Sequence, residues 1–454
     1  MKLTKKIPPF SLPIIFFALI ICAGALLLRI PSSHTASPIS WTDAFFTATS
    51  AVCVTGLAVV DTGTFFSVQG QSIILVLIQL GGLGIMTFTG LFYYLWRKQV
   101  SLSDKIAVGQ SLLHDPTFHL GKFLLRIVVW TFLIEAAGAM ALFFFAPTGF
   151  PPFSAIFHAV SAFCNAGFGL HSDSLTPWQG NWSINLVFMA LIVLGGLGFS
   201  VIVELQTFLT SRLAPGARNA EKSRLSWYAR LIIKTSGFLI VAGAMAIFFA
   251  EHLGYSPKIP MDDAILAALF QSVTCRTAGF NTLPIGEMTN ISLLVMIMLM
   301  FIGGAPGSCA GGIKVTSFRV LFAFLVSQFK GRDQAVIGYR AASRPAVNKA
   351  IILFIFAATI IMGSTLILNI TEGGGVPHPL VRGLSMDIFF EVVSAFGTVG
   401  LSTGLTPQLS CPGKWMITLL MFLGRLGPIV FLATIQSLQK KEAYRWAEED
   451  PLIG

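Results

Sequence analysis

The chain has 454 residues, of which 54% are hydrophobic and only 11% are charged, and its mean hydropathy is +0.78. Soluble domains carry roughly 25% charged residues, so this composition excludes an ordinary soluble protein and indicates a multi-pass membrane protein. The net charge of +10 does not indicate a nucleic-acid partner, because the basic residues concentrate in loops on one predicted side of the membrane.

The placement of those basic residues predicts the orientation of the chain. Positive charge accumulates in short cytoplasmic loops, so we expect both termini on the cytoplasmic side. The basic loops could set the topology alone, or they could also bind anionic lipid or a cytosolic partner. The apolar run that begins near residue 10 could pass for a signal peptide, but we expect it to be retained as the first membrane span.

Four similar repeats are predicted along the chain, over residues 1–98, 99–213, 214–330 and 331–454. Each repeat consists of a membrane-length helix, a short helix, an extended strip and a second membrane-length helix, which predicts an all-α polytopic membrane fold. The first spans are predicted over 10–30, 122–146, 230–252 and 346–370, the short helices over 41–53, 153–163, 262–274 and 385–396, and the second spans over 71–97, 181–212, 290–319 and 414–436.

The short helices have about 12 residues, too few to cross a bilayer, so they are predicted to be re-entrant. Asp43, Ser154 and Asp387 stand near their starts, where a side-chain oxygen could cap the first amides. A helix that stops at mid-membrane directs its C-terminal carbonyls inward. The negative end of its dipole then favours a cation in the cavity that it faces.

A glycine in similar company follows each short helix, at Gly56, Gly167, Gly279 and Gly400. Extended backbone at membrane depth is tolerated only where protein or a water-filled cavity surrounds it. Glycine can turn successive carbonyls toward an axis without steric cost, and carbonyl rings replace the hydration shell of potassium in selectivity filters. Tight turns or close helix contacts would explain one such glycine. The fourfold match predicts that the strips converge into a cation filter.

The second spans carry a glycine motif that begins at Gly81, Gly195, Gly303 and Gly424. Close helix packing is the simplest explanation in the first two repeats. In repeat three the motif expands into a segment with five glycines and a proline, residues 303–314, which should break the helix. We predict that this segment is a mobile gate beneath the filter, with a fixed kink as the alternative. Its candidate residues are Gly303, Gly304, Gly307, Ser308, Gly311, Gly312 and Lys314.

Charged residues within the predicted spans are functional candidates, because a charge inside a membrane is costly. Arg425 occupies a position where the other repeats have glycine. Below the filter it would repel cations as an electrostatic barrier, and a structural ion pair is the alternative. Arg276 and Glu391 lie near the filter layer and are predicted to pair as a brace behind it. The sequence leaves the partners of Glu135 and Glu204 open.

Together these motifs resemble the Ktr/Trk/HKT superfamily of potassium transporters. The resemblance covers nearly the whole chain and rests on the four helix–pore–helix repeats and the single glycine of each strip. Trk-type subunits carry extra spans ahead of the first repeat, whereas this chain is most similar to the membrane subunit of the bacterial Ktr system. Three further segments carry the resemblance: Thr277-Ala-Gly-Phe280, Gly311-Gly-Ile-Lys314 and Gly424-Arg-Leu-Gly-Pro428.

The resemblance implies a central potassium pore in the bacterial plasma membrane, gated by the 303–314 segment and Arg425. It implies K+ as the transported ion and Na+ as an activating ion. It also implies a homodimer on a KtrA-like ring of cytosolic nucleotide-binding subunits. Gly56 favours potassium, because sodium-selective relatives carry serine there. The filter residues implied to bind K+ are Val54, Thr55, Gly56, Asn165, Ala166, Gly167, Thr277, Ala278, Gly279, Thr398, Val399 and Gly400.

Two other functions are alternatives to potassium uptake. An intramembrane enzyme would need an acid pair, a Ser–His arrangement or histidine metal ligands, and the sequence has neither a Gly-x-Gly-Asp nor a His-Glu-x-x-His motif. A Trk-like translocation subunit with a different regulator would differ only in its partner.

Overall fold

A computed structural model describes residues 12–35, 37–84, 120–213, 225–254 and 260–427 of the chain. These residues are predominantly helical, which confirms the predicted all-α class. The strands found among them form one short antiparallel pair, Val336–Ile337 with Arg340–Ala341. Both termini and the C-terminal parts of the predicted spans 71–97 and 414–436 lie outside the described residues.

The first helix of each predicted repeat lies close to its predicted bounds. The last three of these helices contain stretches of 21, 26 and 30 residues that are long and apolar enough to cross a membrane, by length and composition. They expose apolar side chains such as Met140, Phe238 and Leu366, as expected for helices whose solvent is lipid. The four helices are Leu12–Leu28, Leu120–Phe145, Trp227–Gly254 and Arg344–Gly373.

The short helices occupy the interior of the molecule. Each places one phenylalanine, fully buried, at nearly the same distance before its strip glycine, namely Phe46, Phe157, Phe270 and Phe390. Most residues of the short helices are buried, whereas a helix at the surface would expose one face to solvent. This agrees with a re-entrant position. Their bounds are Trp41–Val52, Pro152–Phe163, Met261–Thr274 and Leu384–Gly397.

The predicted caps of the short helices were wrong. Ser40, not Asp43, is the N-cap of the first short helix, and its hydroxyl accepts from the Asp43 amide at 3.0 Å. Pro151 and Gly383 stand at the equivalent positions of the second and fourth short helices, which therefore begin without a side-chain cap. Asp43 instead lies in the first turn, where a carboxylate still complements the positive end of the helix dipole.

Second helices begin at capped positions and then break at glycine. Ser67, Asn181, Thr289 and Ser410 cap Val68–Gly82, Trp182–Gly196, Asn290–Phe301 and Cys411–Leu426, each accepting from an amide three residues on. The span predicted over 181–212 was wrong as one continuous helix. It bends by 109° between Trp182–Gly196 and Phe199–Ser211, because Gly198 adopts a φ of +88° that no helix interior allows.

The helices close into a ring around the short helices. Each second helix packs against the short helix of the following repeat, and the last one, Cys411–Leu426, packs against the first, Trp41–Val52. At this last seam Lys414 Nζ lies 2.7 Å from Asp43 Oδ1, and the rings of Phe45 and Trp415 are 5.8 Å apart. The strips that follow the short helices are thereby brought to one centre.

Candidate functional site

The structure brings the four predicted filter strips together in one closed ring. We call residues 53–57, 164–168, 275–280 and 397–401 strips one to four. A Cβ added to Gly56 would lie 2.5 Å from the Ala166 carbonyl oxygen of strip two. Gly167 faces the Ala278 carbonyl of strip three at 3.0 Å, and Gly279 faces the Val399 carbonyl of strip four at 2.6 Å. Gly400 faces the Thr55 carbonyl of strip one, so the circuit closes.

All four strips have the same unusual backbone conformation. The four glycines have φ between +70° and +93°, a region that is open to glycine and strained for other residues. Two positions earlier, Val54, Asn165, Thr277 and Thr398 also have positive φ, between 50° and 73°. A non-glycine residue in that region costs about 1–3 kcal/mol, and such strain concentrates at functional sites. Its recurrence in every strip marks the ring as the candidate site.

Buried hydroxyl groups on the short helices hold the strips, and they were not among the predicted site residues. Ser50, Ser161, Thr274 and Ser394 are fully buried, and each forms a hydrogen bond to the backbone of its own strip. Three of them are serines six residues before the strip glycine. That recurrence is the signal in the sequence, although serine is also a common small residue in membrane helices.

Glycines of the second helices make a close approach to the ends of the short helices. A Cβ at Gly81, Gly195 or Gly424 would overlap the carbonyl oxygen of Val52, Phe163 or Phe396, respectively. Those carbonyls form the C-terminal ends of the short helices. Close packing therefore explains the glycine motif in three of the repeats. In repeat three, Gly303 meets Gly311 of its own loop instead.

The 303–314 segment forms a loop with a hydrogen-bonded neck. The Gly303 amide donates to the Ile313 carbonyl at 2.8 Å, and the Val315 amide donates to the Gly304 carbonyl at 3.1 Å. Within the loop, Ser308 Oγ donates to the Ala305 carbonyl at 2.7 Å. Lys314 Nζ donates to the Ala310 carbonyl at 2.6 Å. The helix is thus interrupted from residue 302 to residue 314.

The loop lies against the ring and against the break in the second repeat. Gly311 leaves no room for a side chain, because its Cβ would overlap the Thr398 hydroxyl of strip four. On its other flank the Ala305 and Cys309 amides donate to the Gly196 and Gly195 carbonyls, at 3.0 and 3.2 Å. Gly307 and Gly312 have φ of +70° and +63°, as the turns of the loop require.

Arg425 is buried and connects the loop to the first repeat. Its Nη1 donates to the Cys309 carbonyl and its Nη2 donates to the Gly81 carbonyl. Within the described part of the chain no carboxylate forms an ion pair with it. There the guanidinium is solvated by carbonyl dipoles, which do not cancel its positive charge.

The predicted pair between Arg276 and Glu391 was also wrong. Arg276 Nη2 donates to the Gly303 carbonyl at 2.9 Å, at the neck of the loop. Glu391 accepts from the Ser402 hydroxyl, from the Thr403 amide at 3.2 Å and from the Thr406 hydroxyl at 2.6 Å. Three nearby donors satisfy this carboxylate locally, so it has no need of a distant cation.

The carboxylates whose partners were open each bind a neighbouring element. Glu135 accepts from the Cys164 thiol of strip two at 3.7 Å. Glu204 accepts from the Ser226 hydroxyl at 2.9 Å and from the Ser226 amide, just before the helix Trp227–Gly254 begins.

An ionised carboxylate stands on the side where the chain leaves strip one. Asp61 accepts from the Gly63 and Thr64 amides at 2.8 and 2.9 Å. Burial alone would raise the pKa of Asp61, but these bonds and the Ser172 hydroxyl hold that pKa below its ordinary value. The group is therefore negative at neutral pH and attracts cations to this side of the ring.

Comparisons with known proteins agree across most of the chain. A family profile named TrkH and described as cation transport protein matches residues 10–442. The chain is 38% identical over 439 residues to Ktr system potassium uptake protein B of Bacillus subtilis, with 95% of this chain and 93% of that protein covered. It is 33% identical over 464 residues to the potassium/sodium uptake protein NtpJ of Enterococcus hirae, with 100% of this chain and 99% of that protein covered.

A solved structure shares the fold. The crystal structure of the potassium transporter TrkH from Vibrio parahaemolyticus superposes with a TM-score of 0.70 at 22% identity, covering 93% of this chain and 84% of that one. At this identity the likeness concerns the fold alone. The family match over residues 10–442 includes the strips, the loop and Arg425.

Proposed function

This chain belongs to the TrkH family of cation transport proteins, and from that premise we propose that it takes up potassium through the ring formed by strips one to four. The observation that carries the proposal is the closed circuit of glycines and carbonyl oxygens. Bare carbonyls can replace the hydration shell of potassium. The family is one of transporters, so the chain is not an enzyme.

In the proposed filter the ion is held by backbone oxygens of the three residues that end at each glycine. The Thr55, Ala166, Ala278 and Val399 carbonyls already face the glycines of neighbouring strips. The inward-directed ends of the four short helices add negative potential at the same centre. Potassium is the proposed ion because the relatives are named potassium uptake proteins and because glycine stands at all four strip positions.

In the proposed gate the 303–314 loop closes the path beneath the ring. Its support is the contact of Gly311 with Thr398 and the tie of Cys309 to Arg425. The uncancelled charge of Arg425 raises the barrier for a cation at the same depth. Opening would require the loop to leave the Gly195 and Gly196 carbonyls.

We also propose the assembly and the cellular setting. The relatives named for a Ktr system support a partner subunit, and we propose a homodimer on a KtrA-like ring of nucleotide-binding subunits. Sodium as an activating ion is supported by the potassium/sodium uptake relative. We place the protein in the bacterial plasma membrane with both termini in the cytoplasm, where anionic lipid would contact the basic loops.

The filter proposal is tested by Gly56→Ser. A serine there must adopt a φ of +93° and place its Cβ 2.5 Å from the Ala166 carbonyl oxygen, so it should distort the junction of strips one and two. We expect the ratio of potassium to sodium uptake to fall in a bacterial strain that lacks its own potassium uptake.

The matched control is Gly404→Ser. Gly404 has a φ of +101° but no atom within 4 Å of its Cβ position, so this variant carries the same backbone strain away from the ring. An unchanged ion ratio in a well-expressed Gly56→Ser protein would argue against the filter.

A further inference from the structure

We propose that the buried hydroxyls of Ser50, Ser161, Thr274 and Ser394 are positioning residues that set the ion selectivity of the ring. They touch no ion themselves and act through the strip backbone. The inference rests on the proposed filter function and adds to it a layer of side chains that the sequence analysis had not assigned.

Ser50 shows the arrangement most completely. Its Oγ accepts from the Gly56 amide at 3.1 Å and donates to the Leu57 carbonyl at 2.7 Å. One hydroxyl therefore holds the backbone on both sides of the strip glycine. Ser50 is fully buried, so water cannot take over these bonds when the hydroxyl is removed.

The other strips repeat parts of this pattern. Ser161 Oγ donates to the Phe168 carbonyl at 2.7 Å, and Thr274 Oγ1 donates to the Phe280 carbonyl at 2.6 Å. Ser394 Oγ accepts from the Gly400 amide at 3.1 Å. The recurrence in all four strips is not expected from chance bonds at helix ends.

Backbone groups of the same four residues also bind their strips. Their carbonyls each accept from the amide of the residue that precedes the strip glycine, at 2.7 to 2.9 Å. The donors are Thr55, Ala166, Ala278 and Val399. These are the residues whose carbonyls face the neighbouring glycines, so the amide of each ring-forming peptide group is anchored to its short helix.

This geometry sets the last carbonyl of each strip that can bind an ion. The Leu57, Phe168 and Phe280 carbonyls are turned back to the short helices by their hydroxyl donors, and are thus unavailable to an ion. The strip glycine has no side chain to restrain it, so the hydroxyl supplies that restraint. A restrained ring resists contraction around sodium, which is smaller than potassium.

Ser272 provides a matched control on the third short helix. It is fully buried, and its Oγ donates to the Ile240 carbonyl at 2.7 Å, as the positioning serines donate to strip carbonyls. Ile240 belongs to the helix Trp227–Gly254, so this bond joins two helices and touches no strip. The Ser272→Ala substitution removes a similar buried hydrogen bond and leaves the ring unchanged.

The experiment measures potassium and sodium uptake by Ser50→Ala, Ser50→Thr and Ser272→Ala in the uptake-deficient strain, per amount of folded protein recovered by size-exclusion chromatography. We expect Ser50→Ala to lower the potassium-to-sodium ratio by roughly fivefold to thirtyfold, the effect of losing one or both of its buried hydrogen bonds. Ser272→Ala should leave the ratio unchanged. Ser50→Thr should retain it, because Thr274 makes the corresponding bond in strip three.

Two outcomes would overturn the inference. One is a Ser50→Ala ratio equal to that of Ser272→Ala, and the other is an equal loss of both ion fluxes. If Ser50→Ala is not recovered folded, Ser394→Ala decides by the same ratio, since its hydroxyl makes a single strip bond. If the potassium-to-sodium ratio falls in Gly56→Ser but is unchanged in Ser50→Ala, this inference is wrong and the filter proposal is retained. An unchanged ratio in Gly56→Ser removes the filter itself.

Discussion

At the scale of single residues, Arg425 joins two parts of the molecule that must separate if the loop moves. Its guanidinium binds a carbonyl of the loop at Cys309 and a carbonyl of the first repeat at Gly81. Both hydrogen bonds have a charged donor, and such bonds contribute about 1.5–3 kcal/mol each to stability. The residue therefore holds the loop against the first repeat.

Replacing this arginine should increase transport. In Arg425→Ala the loop loses its tie to the first repeat and the path loses a positive charge, so we expect potassium uptake per folded protein to rise roughly fivefold to tenfold. Radioactive rubidium uptake measures it. Arg382→Ala, at an exposed arginine, serves as the control. A fall in uptake per folded protein would contradict the barrier.

At the scale of elements, the loop is a closed unit with two distinct attachments. Its neck is fixed by the Gly303–Ile313 and Gly304–Val315 bonds. Its body is fixed by bonds to Gly195 and Gly196, which stand at the break of the second repeat. In the proposed gate the neck would stay intact while the body moves, whereas a fixed kink would move neither.

Deleting residues 306–309 tests this difference. The deletion removes Cys309, and with it the bonds to Gly195 and Arg425, but keeps both neck bonds. We expect uptake to rise several-fold. Removal of Gly374 and Gly375, which have nothing within 4 Å of their Cβ positions, is the control for chain shortening. Lost uptake in well-folded protein would favour the fixed kink.

The sequence predicted helices better than it predicted their partners. Apolar length located the first helices, since a membrane span is decided by local composition. The break at Gly198 was missed because a glycine motif within an apolar span is also typical of close helix packing. The Arg276–Glu391 pair failed for a related reason: donors at Ser402 and Thr406 lie nearby only after strip four has turned.

The shared backbone conformation of the four strips could be predicted from the sequence, whereas the buried hydroxyls behind them were not predicted. Four glycines at matching positions indicate a shared conformation, because few residues other than glycine readily adopt a left-handed φ. The hydroxyls behind them depend on how far each short helix extends toward its strip. That distance differs in strip three, where Thr274 stands five residues before Gly279, and spacing alone did not identify the equivalence.

At the scale of the whole molecule, the proposed regulator is a separate KtrA-like subunit, which the relatives named for a Ktr system support. The described residues form one helical ring around the strips. We expect co-expression of a KtrA-like subunit to raise potassium uptake several-fold, because its binding on the cytoplasmic side would favour the open position of the proposed gate. Unchanged uptake would favour a different regulator.

The proposed homodimer is tested by light scattering. The membrane subunit alone should have twice the chain mass of 48.9 kDa.

The ring joins four unequal strips within one polypeptide. The distance from a Cβ added at each strip glycine to the facing carbonyl oxygen differs: it is shortest at Gly400, and it is 2.5 Å at Gly56, 2.6 Å at Gly279 and 3.0 Å at Gly167. A mutation in the gene of a tetrameric channel alters all four quadrants at once, whereas a mutation here alters one. Evolution can therefore adjust ion preference in steps of one quadrant, and the wider Gly167 junction is where we expect natural variants to tolerate alanine first.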